Sequence, residues 1–277
     1  MIITNKYNLP QPFIEFTEKY FNKHRPTKER ISVTDLVAPE RILFYKIFYW
    51  DQITVDASEL MPEVLGIALH DLFKKFSPDN SLTEEKIEYK PKSFDFKIVG
   101  KIDLYKDEEL IDYKTVSGFS FSKKVNEEYI KQLNVYSYIL ENEYGFKVKE
   151  LKLIEIAKDF TKRKETYIQD FKPVNIISIP KWQKEEVEAF LFEKLTSIEK
   201  MIKEEKPPEC NEKEKWTVSY RIDIMQIGST KPIVSFKDKE EVKNIKLSKG
   251  QYLREIPQDE VRCHYYCIAR NICRGKT

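Results

Sequence analysis

Residues 100–115, GKIDLYKDEELIDYKT, carry two acids and an amine at a spacing that suits metal chemistry. Two strand-like runs flank a polar turn, Lys106-Asp107-Glu108-Glu109. If the hairpin is symmetric about that turn, Tyr105 faces Leu110 and Asp103 faces Asp112. Directly opposed side chains on one face of an antiparallel pair sit roughly 5 Å apart at Cβ. Lys114, two residues beyond Asp112, projects from the same face. Two carboxylates that close repel in a half-buried setting; a hard divalent cation between them removes the repulsion and uses their oxygens as ligands. Lys114 beside that cation can help deprotonate a water or stabilise charge developing on a phosphate. Asp103, Asp112 and Lys114 are thus equipped for metal-assisted phosphodiester hydrolysis. The same residues also suit a solvent-facing stripe on an edge hairpin, because Asp and Lys usually face water.

Three further groups bear chemistry. His70 ends the apolar run Gly66-Ile67-Ala68-Leu69-His70. A lone histidine there is usually a packed core residue, but imidazole is also a good ligand beside carboxylates. Gln132 and Tyr136 are spaced i, i+4 and share one helix face, which alone is ordinary amphipathic surface. Cys263, Cys267 and Cys273 form C-x3-C-x5-C, and Cys210 lies far upstream after Pro207-Pro208-Glu209. Three clustered thiols and one distant thiol can build a four-sulfur site that clamps the tail to the body and closes a long loop. Zinc and iron–sulfur clusters both take four thiolates, and spacing does not separate them. Unliganded buried cysteines are the alternative, above all for Cys210, and His264 reads as a bystander.

The elements that must position these groups follow from periodicity. Residues 31–50 predict a helix with Leu43, Phe44, Ile47 and Phe48 inward, and residues 60–76 repeat the helical spacing. Between Glu84 and Thr115 the period shifts towards two, giving strands at 86–89, 94–99, 101–105 and 110–115. A helix at 126–142, strands at 151–157 and 167–171, and a long amphipathic helix at 181–205 follow, the last ended by Pro207-Pro208. Strand-like pieces at 216–224 and 233–236 precede the cysteine-rich tail. No internal repeat or low-complexity segment interrupts this order. It predicts an α/β fold, a central mixed β-sheet flanked by helices, with a small C-terminal cysteine-bound module. The expected division is an N-terminal helical region at 1–60, a core at 61–206 and the C-terminal module at 207–277.

Composition bounds the rest. A chain of 277 residues, 41% hydrophobic, can bury a proper core. The net charge of +2 does not demand a polyanionic partner, although a local basic patch is compatible with it. No run approaches the roughly 20 apolar residues of a membrane span. The opening MIITNKYNLPQPF lacks the charged-then-apolar layout of a signal peptide. A cytoplasmic location is expected, where thiols stay reduced and four cysteines suit metal binding better than disulfides.

Taken in order, GxxxH (Gly66 to His70), GxxD (Gly100 to Asp103), DxK (Asp112 to Lys114) and QxxxY (Gln132 to Tyr136) resemble the RecB-like branch of the PD-(D/E)XK nucleases. That branch includes helicase-associated recombination nucleases, CRISPR-associated exonucleases and phage exonucleases. The resemblance implies a restriction-endonuclease-like core in which His70, Asp103, Asp112 and the backbone carbonyl of Tyr113 bind Mg²⁺ or Mn²⁺. It implies that Lys114 orients or activates the attacking water, that Gln132 steadies Lys114 or that water, and that Tyr136 contacts the DNA backbone. Glu88 is a weaker candidate. Some relatives carry an iron–sulfur cluster on a one-plus-three cysteine set whose lone member precedes a proline near the N-terminus. Here that place is Val37-Ala38-Pro39, with Ala38 where a sulfur is expected, so Cys210 is the fourth ligand in this reading. The PPEC stretch with Glu214 and Trp216, followed by RCxxYC, is similar to phage and prophage members of the superfamily.

The resemblance therefore implies a metal-dependent DNA nuclease, an exonuclease within that class, acting on DNA that is single-stranded by preference. Recombination or CRISPR-adaptation proteins are the expected partners, with no membrane involved. A 4Fe–4S cluster is the expected cysteine-bound group and zinc its alternative. Two other readings stand beside it: a non-catalytic nucleic-acid-binding subunit that kept the fold, and a redox sensor built on the cysteines. The intact pair of acids argues against the first, because a retired site has no reason to keep like charges side by side.

Overall fold

The computed structural model describes residues 1–118, 124–166, 171–229, 231–243 and 245–273. The chain divides into two compact units, Met1–Pro208 and Glu209–Thr277.

The first unit begins with β1 (Ile2–Thr4), α1 (Gln11–Lys23), β2 (Arg30–Ser32), α2 (Val33–Val37) and α3 (Glu40–Phe48). The continuous helix expected over 31–50 is broken. Ala38 is extended because the ring of Pro39 disfavours helical backbone before it, and Ser32 caps α2 by accepting from the Asp35 N–H. Three of the four residues expected to face inward, Leu43, Phe44 and Ile47, are buried, while Phe48 is half-buried. Next come β3 (Thr54–Asp56), α4 (Met61–Lys75), β4 (Leu82–Tyr89), β5 (Lys97–Lys106), β6 (Glu109–Val116), α5 (Glu127–Glu143), β7 (Glu150–Ala157), α6 (Lys162–Glu165), β8 (Val174–Ile179) and α7 (Lys184–Glu204). The strands expected at 94–99 and 101–105 are one continuous strand, β5. The strand expected at 167–171 falls largely outside the described residues, and the strand that pairs with β7 is β8.

Among the described residues, six strands form one mixed sheet. Its order is β2-β5-β6-β7-β8, with β4 also on β5; β2–β5 and β6–β7 are parallel and the other pairs antiparallel. Helices flank this sheet. α5, capped by Asn126, packs against β4, β6 and β7 and against α2 and α7, while α4 packs against β4 and β6. The core is the layer between them: Ile98, Ile102, Leu110, Leu151 and Leu153 from the strands, Leu133, Ile139 and Leu140 from α5, and Leu191, Leu195 and Ile198 from α7.

The edges of β5 decide where the site lies. β4 pairs with it from Ile98 to Tyr105. The opposite edge is shared: β2 takes Lys97 to Val99, and β6 takes Leu104 to Lys106. Residues 100–103 are left unpaired on that edge, so β2 and β6 fork apart there.

The second unit holds α8 (Glu212–Lys215), β9 (Thr217–Val218), β10 (Arg221–Gln226), β11 (Val234–Phe236), β12 (Gln251–Ile256), β13 (Asp259–Glu260), a wide helical turn over Arg262–Tyr266, and α9 (Arg270–Cys273). The strand expected over 216–224 is two strands with different partners, β9 on β13 and β10 between β11 and β12. Asp223 is buried on β10 and pins that sheet, accepting from Ser235 at 2.6 Å on β11 and Arg254 at 2.8 Å on β12. No helix among the described residues is long and apolar enough to cross a membrane.

Candidate metal centre

The hairpin turn Asp107-Glu108 puts both residues at positive φ, 50° and 66°, the two-residue turn whose twist matches paired strands. That turn sets the register Lys106↔Glu109, Tyr105↔Leu110 and Leu104↔Ile111. The next position on this diagonal is Asp103 and Asp112, but the ladder stops before it. The expected symmetric pair is replaced by the mouth of the fork, where the Asp103 carboxylate accepts from the Tyr113 N–H at 2.7 Å. The backbone donor that a continuing strand would satisfy is thus satisfied by the acid itself.

Asp112 and Lys114 lie beside this acid. The Lys114 ammonium is 2.6 Å from Asp112 Oδ2, and both side chains are buried or nearly so. Burial pushes the Asp112 carboxyl up to about 6 against the Lys114 charge, with the Asp103 charge adding to the rise. Burial lowers the Lys114 pKa, but the charges of Asp112 and Asp103 outweigh it and hold the amine protonated.

α4 brings His70 to the acids from the other direction. Its Nδ1 is 3.0 Å from Glu84 Oε1 and 3.3 Å from Asp103 Oδ1. Burial disfavours the imidazolium, yet hydrogen bonds to Asp103 and Glu84 and the charges of both raise it to about 9. Gly66, one turn before His70, lies beside β6: an added Cβ would meet Thr115 Oγ1 at 3.5 Å, an ordinary van der Waals contact that leaves room for alanine. Phe73 packs on Tyr113 with the rings tilted by 53° and their centroids 4.8 Å apart, a contact between α4 and β6.

Gln132 and Tyr136 are buried on α5, and Gln132 Nε2 donates to the Tyr136 hydroxyl at 3.1 Å. Burial raises Tyr136 to about 12, and the Asp112 charge adds to the rise. The ring covers Gly100: a Cβ there would stand 2.5 Å from Tyr136 Cε1. The glycine of one motif and the tyrosine of another are therefore physical partners. Glu88 is exposed and pairs with Lys97 at 2.9 Å.

The residue that periodicity missed is Glu84. It is buried, accepts from His70 and pairs with the Lys101 ammonium. Its φ of +53° belongs to the left-handed region, which no alternation pattern signals. His70, Glu84 and Asp103 each offer a donor atom, and these atoms lie within 4.8 Å of one another. Two carboxylates with an imidazole form a donor set suited to a hard or borderline divalent cation. Glu84 Oε2 and Asp112 Oδ2 are also buried without an aligned hydrogen bond, a lysine ammonium being their compensation. The residues fit a cation.

Over about two thirds of its length the chain has the fold of SSO0001. The two share 17% identity at a TM-score of 0.50, over 68% of this chain and 85% of that one. Weaker resemblances reach a candidate exonuclease from Eubacterium rectale (14% identity, TM-score 0.35, 76% and 73% covered) and the alkaline exonuclease LHK-Exo from Laribacter hongkongensis (13%, 0.36, 68% and 97%). No protein-family model and no curated protein matches the chain.

All four cysteines lie in the second unit. Cys267 is buried, and burial with the nearby thiols of Cys273 and Cys263 pushes its own thiol up. Lys215 is raised by its hydrogen bond to Glu260 and, more weakly, by the charges of Cys263 and Cys210. The segment after Cys210 is tied to the tail by β9–β13, by Arg262 stacked 4.2 Å from the Trp216 ring, and by the Arg262 bond to the Glu214 carbonyl at 3.1 Å.

Proposed function

We propose that this chain is a divalent-metal-dependent deoxyribonuclease of the RecB-like PD-(D/E)XK type, acting at DNA ends with a preference for single strands. The observation that carries the reading is the convergence of His70, Asp103, Asp112 and Lys114 on the fork where β2 and β6 part along β5. They come from three separate motifs of the sequence, with Asp112 and Lys114 sharing one, and chance surface charges have no reason to meet in a half-buried gap.

His70, Asp103, Asp112 and the Tyr113 carbonyl would hold Mg²⁺ or Mn²⁺. Such a cation supplies an activated water and charge neutralisation on the attacked phosphate. The remaining work falls to the chain. Asp103, bonded to the Tyr113 N–H, holds β6 in register at the fork, so that Asp112 and Lys114 stay aimed at the same point. Lys114, kept as an ammonium, donates to a phosphate oxygen or to the attacking water and holds it in line. Gln132 and Tyr136 sit too deep for a surface contact and act as positioning residues behind Asp112 and Lys114.

In the second unit, Cys210, Cys263, Cys267 and Cys273 would hold a 4Fe–4S cluster, with zinc as the alternative; the clamp between residues 210–218 and 259–266, which ties the segment after Cys210 to the tail, supports this reading. Recombination or CRISPR-adaptation proteins are the partners this reading assigns, in the cytoplasm.

The test is incubation with end-labelled single- and double-stranded DNA in Mg²⁺, Mn²⁺ or EDTA. Progressive shortening from an end in either metal, abolished by EDTA and strongly slowed by Lys114→Met, is expected. DNA binding with no cleavage in any metal would assign the chain instead to the non-catalytic class.

A further inference from the structure

We propose that Glu84 is a ligand of the cation at this centre and that Lys101 is its resident stand-in, so that loading the site exchanges the Lys101 ammonium for the metal ion. The inference rests on the reading of the fork as a metal centre.

Glu84 occupies a singular place in the sheet. The β4–β5 register runs along one diagonal from Leu82↔Tyr105 to Tyr89↔Ile98 and skips one pair, Glu84 and Asp103. An ordinary strand glutamate would stay extended and alternate with its neighbours. Glu84 instead adopts left-handed backbone opposite the acid that faces His70, and its carboxylate lands against the same imidazole. A Mg²⁺ or Mn²⁺ ion about 2.1 Å from each ligand spaces its donors about 3–4 Å apart. The donor atoms of His70, Glu84 and Asp103 are already gathered on that scale.

A buried carboxylate needs a counter-charge. Without a metal, Lys101 provides it, reaching Glu84 from two residues before Asp103 on β5. The two lysines of the site differ in one decisive respect. The Lys114 side chain is 22% exposed and locked against Asp112, whereas that of Lys101 is 45% exposed. A half-exposed lysine can swing its ammonium into water on a flexible four-carbon stem. Lys101 is therefore the cation that can leave, and Glu84 the carboxylate it frees.

The experiment is Mn²⁺ titration of the full chain without DNA, by calorimetry and by the paramagnetic resonance signal of free Mn²⁺. Glu84→Gln should weaken Mn²⁺ binding by about 10- to 100-fold. Lys101→Met should tighten it by about fivefold, the scale of a half-exposed ion pair. Combined with Glu84→Gln, Lys101→Met should have no effect, because its competitor role runs through Glu84. Wild-type affinity in Glu84→Gln would leave Glu84 as a mere acceptor for the imidazole and overturn the proposal. So would unchanged affinity in Lys101→Met, a Lys101→Met effect that survives Glu84→Gln, or no Mn²⁺ uptake by the wild type. Lys101 lies at the surface, so its variant reports even if Glu84→Gln does not fold. Uptake through Glu84 without DNA cleavage would remove the nuclease reading alone, and cleavage with unchanged affinity in both variants would remove only this one.

Discussion

Substituting Gly100 with alanine adds one methyl group at the point where β5 passes under α5. That carbon would lie 2.5 Å from Tyr136 Cε1, 3.2 Å from Cδ1 and 3.3 Å from Val33 Cγ2. Carbon atoms rest at about 3.5–4.0 Å, so the ring must retreat by about 1 Å. It has little freedom to do so, being buried with its hydroxyl held by Gln132 at 3.1 Å. Overpacking of this kind costs about 1–3 kcal/mol and a strained buried hydrogen bond about 1 kcal/mol more. Gly100→Ala should therefore lose about 2–4 kcal/mol in urea unfolding followed by circular dichroism, seen as a lower midpoint at unchanged slope. Tyr136→Ala removes the obstacle. In that background the glycine substitution should cost less than about 0.5 kcal/mol, since residues in contact are not additive. A Gly100→Ala midpoint equal to wild type, or equal losses with and without the Tyr136 ring, would refute the link between the two motifs.

The His70 imidazolium, raised to about 9 from the ordinary 6.5, must lose its proton to bind a cation. Mn²⁺ affinity should then fall about tenfold per pH unit below about 9, with one proton released per ion, as calorimetry in buffers of different ionisation enthalpy would show; affinity flat from pH 7 to 9 would contradict it. The linked stability has the opposite sense. A raised folded-state pKa gives metal-free protein up to about 3 kcal/mol below pH 6.5, fading as pH rises through 9, and His70→Gln should abolish that slope. Lys114→Met should reduce cleavage by about 10²–10³-fold while Mn²⁺ affinity changes little, measured by single-turnover kinetics beside a metal titration. Anaerobically purified protein should be brown and lose its broad blue-violet absorbance in Cys210→Ser and Cys267→Ser; colourless protein carrying stoichiometric zinc would select the tetrahedral site.

How much of this was legible in the sequence depends on the distance over which each feature is decided. The hairpin is local. A polar turn between two alternating runs sets Tyr105 opposite Leu110, and Lys114 shares a face with Asp112 because both belong to one strand. The long helices are local too, and α5 begins where Asn126 caps it. The broken helix after residue 31 was also written locally, in Ala38-Pro39, where a proline overrides an apolar period. The fork is different. It exists because β2, some 70 residues upstream of β5, claims Lys97 to Val99 and leaves β6 only Leu104 to Lys106. No pattern within residues 100–115 announces that, so symmetry about the turn predicted a ladder pair at Asp103 and Asp112 where the strands part. Glu84 was hidden for the same reason. Its left-handed backbone is sustained by its surroundings, the His70 ring from α4 and the Lys101 ammonium from β5, and not by its neighbours in sequence. The motifs thus name side chains that can do chemistry, while the gap that lets them meet is a property of competing strand edges. A substitution that weakens β2, such as Ile31→Gly, should then disturb the centre without touching any of its residues.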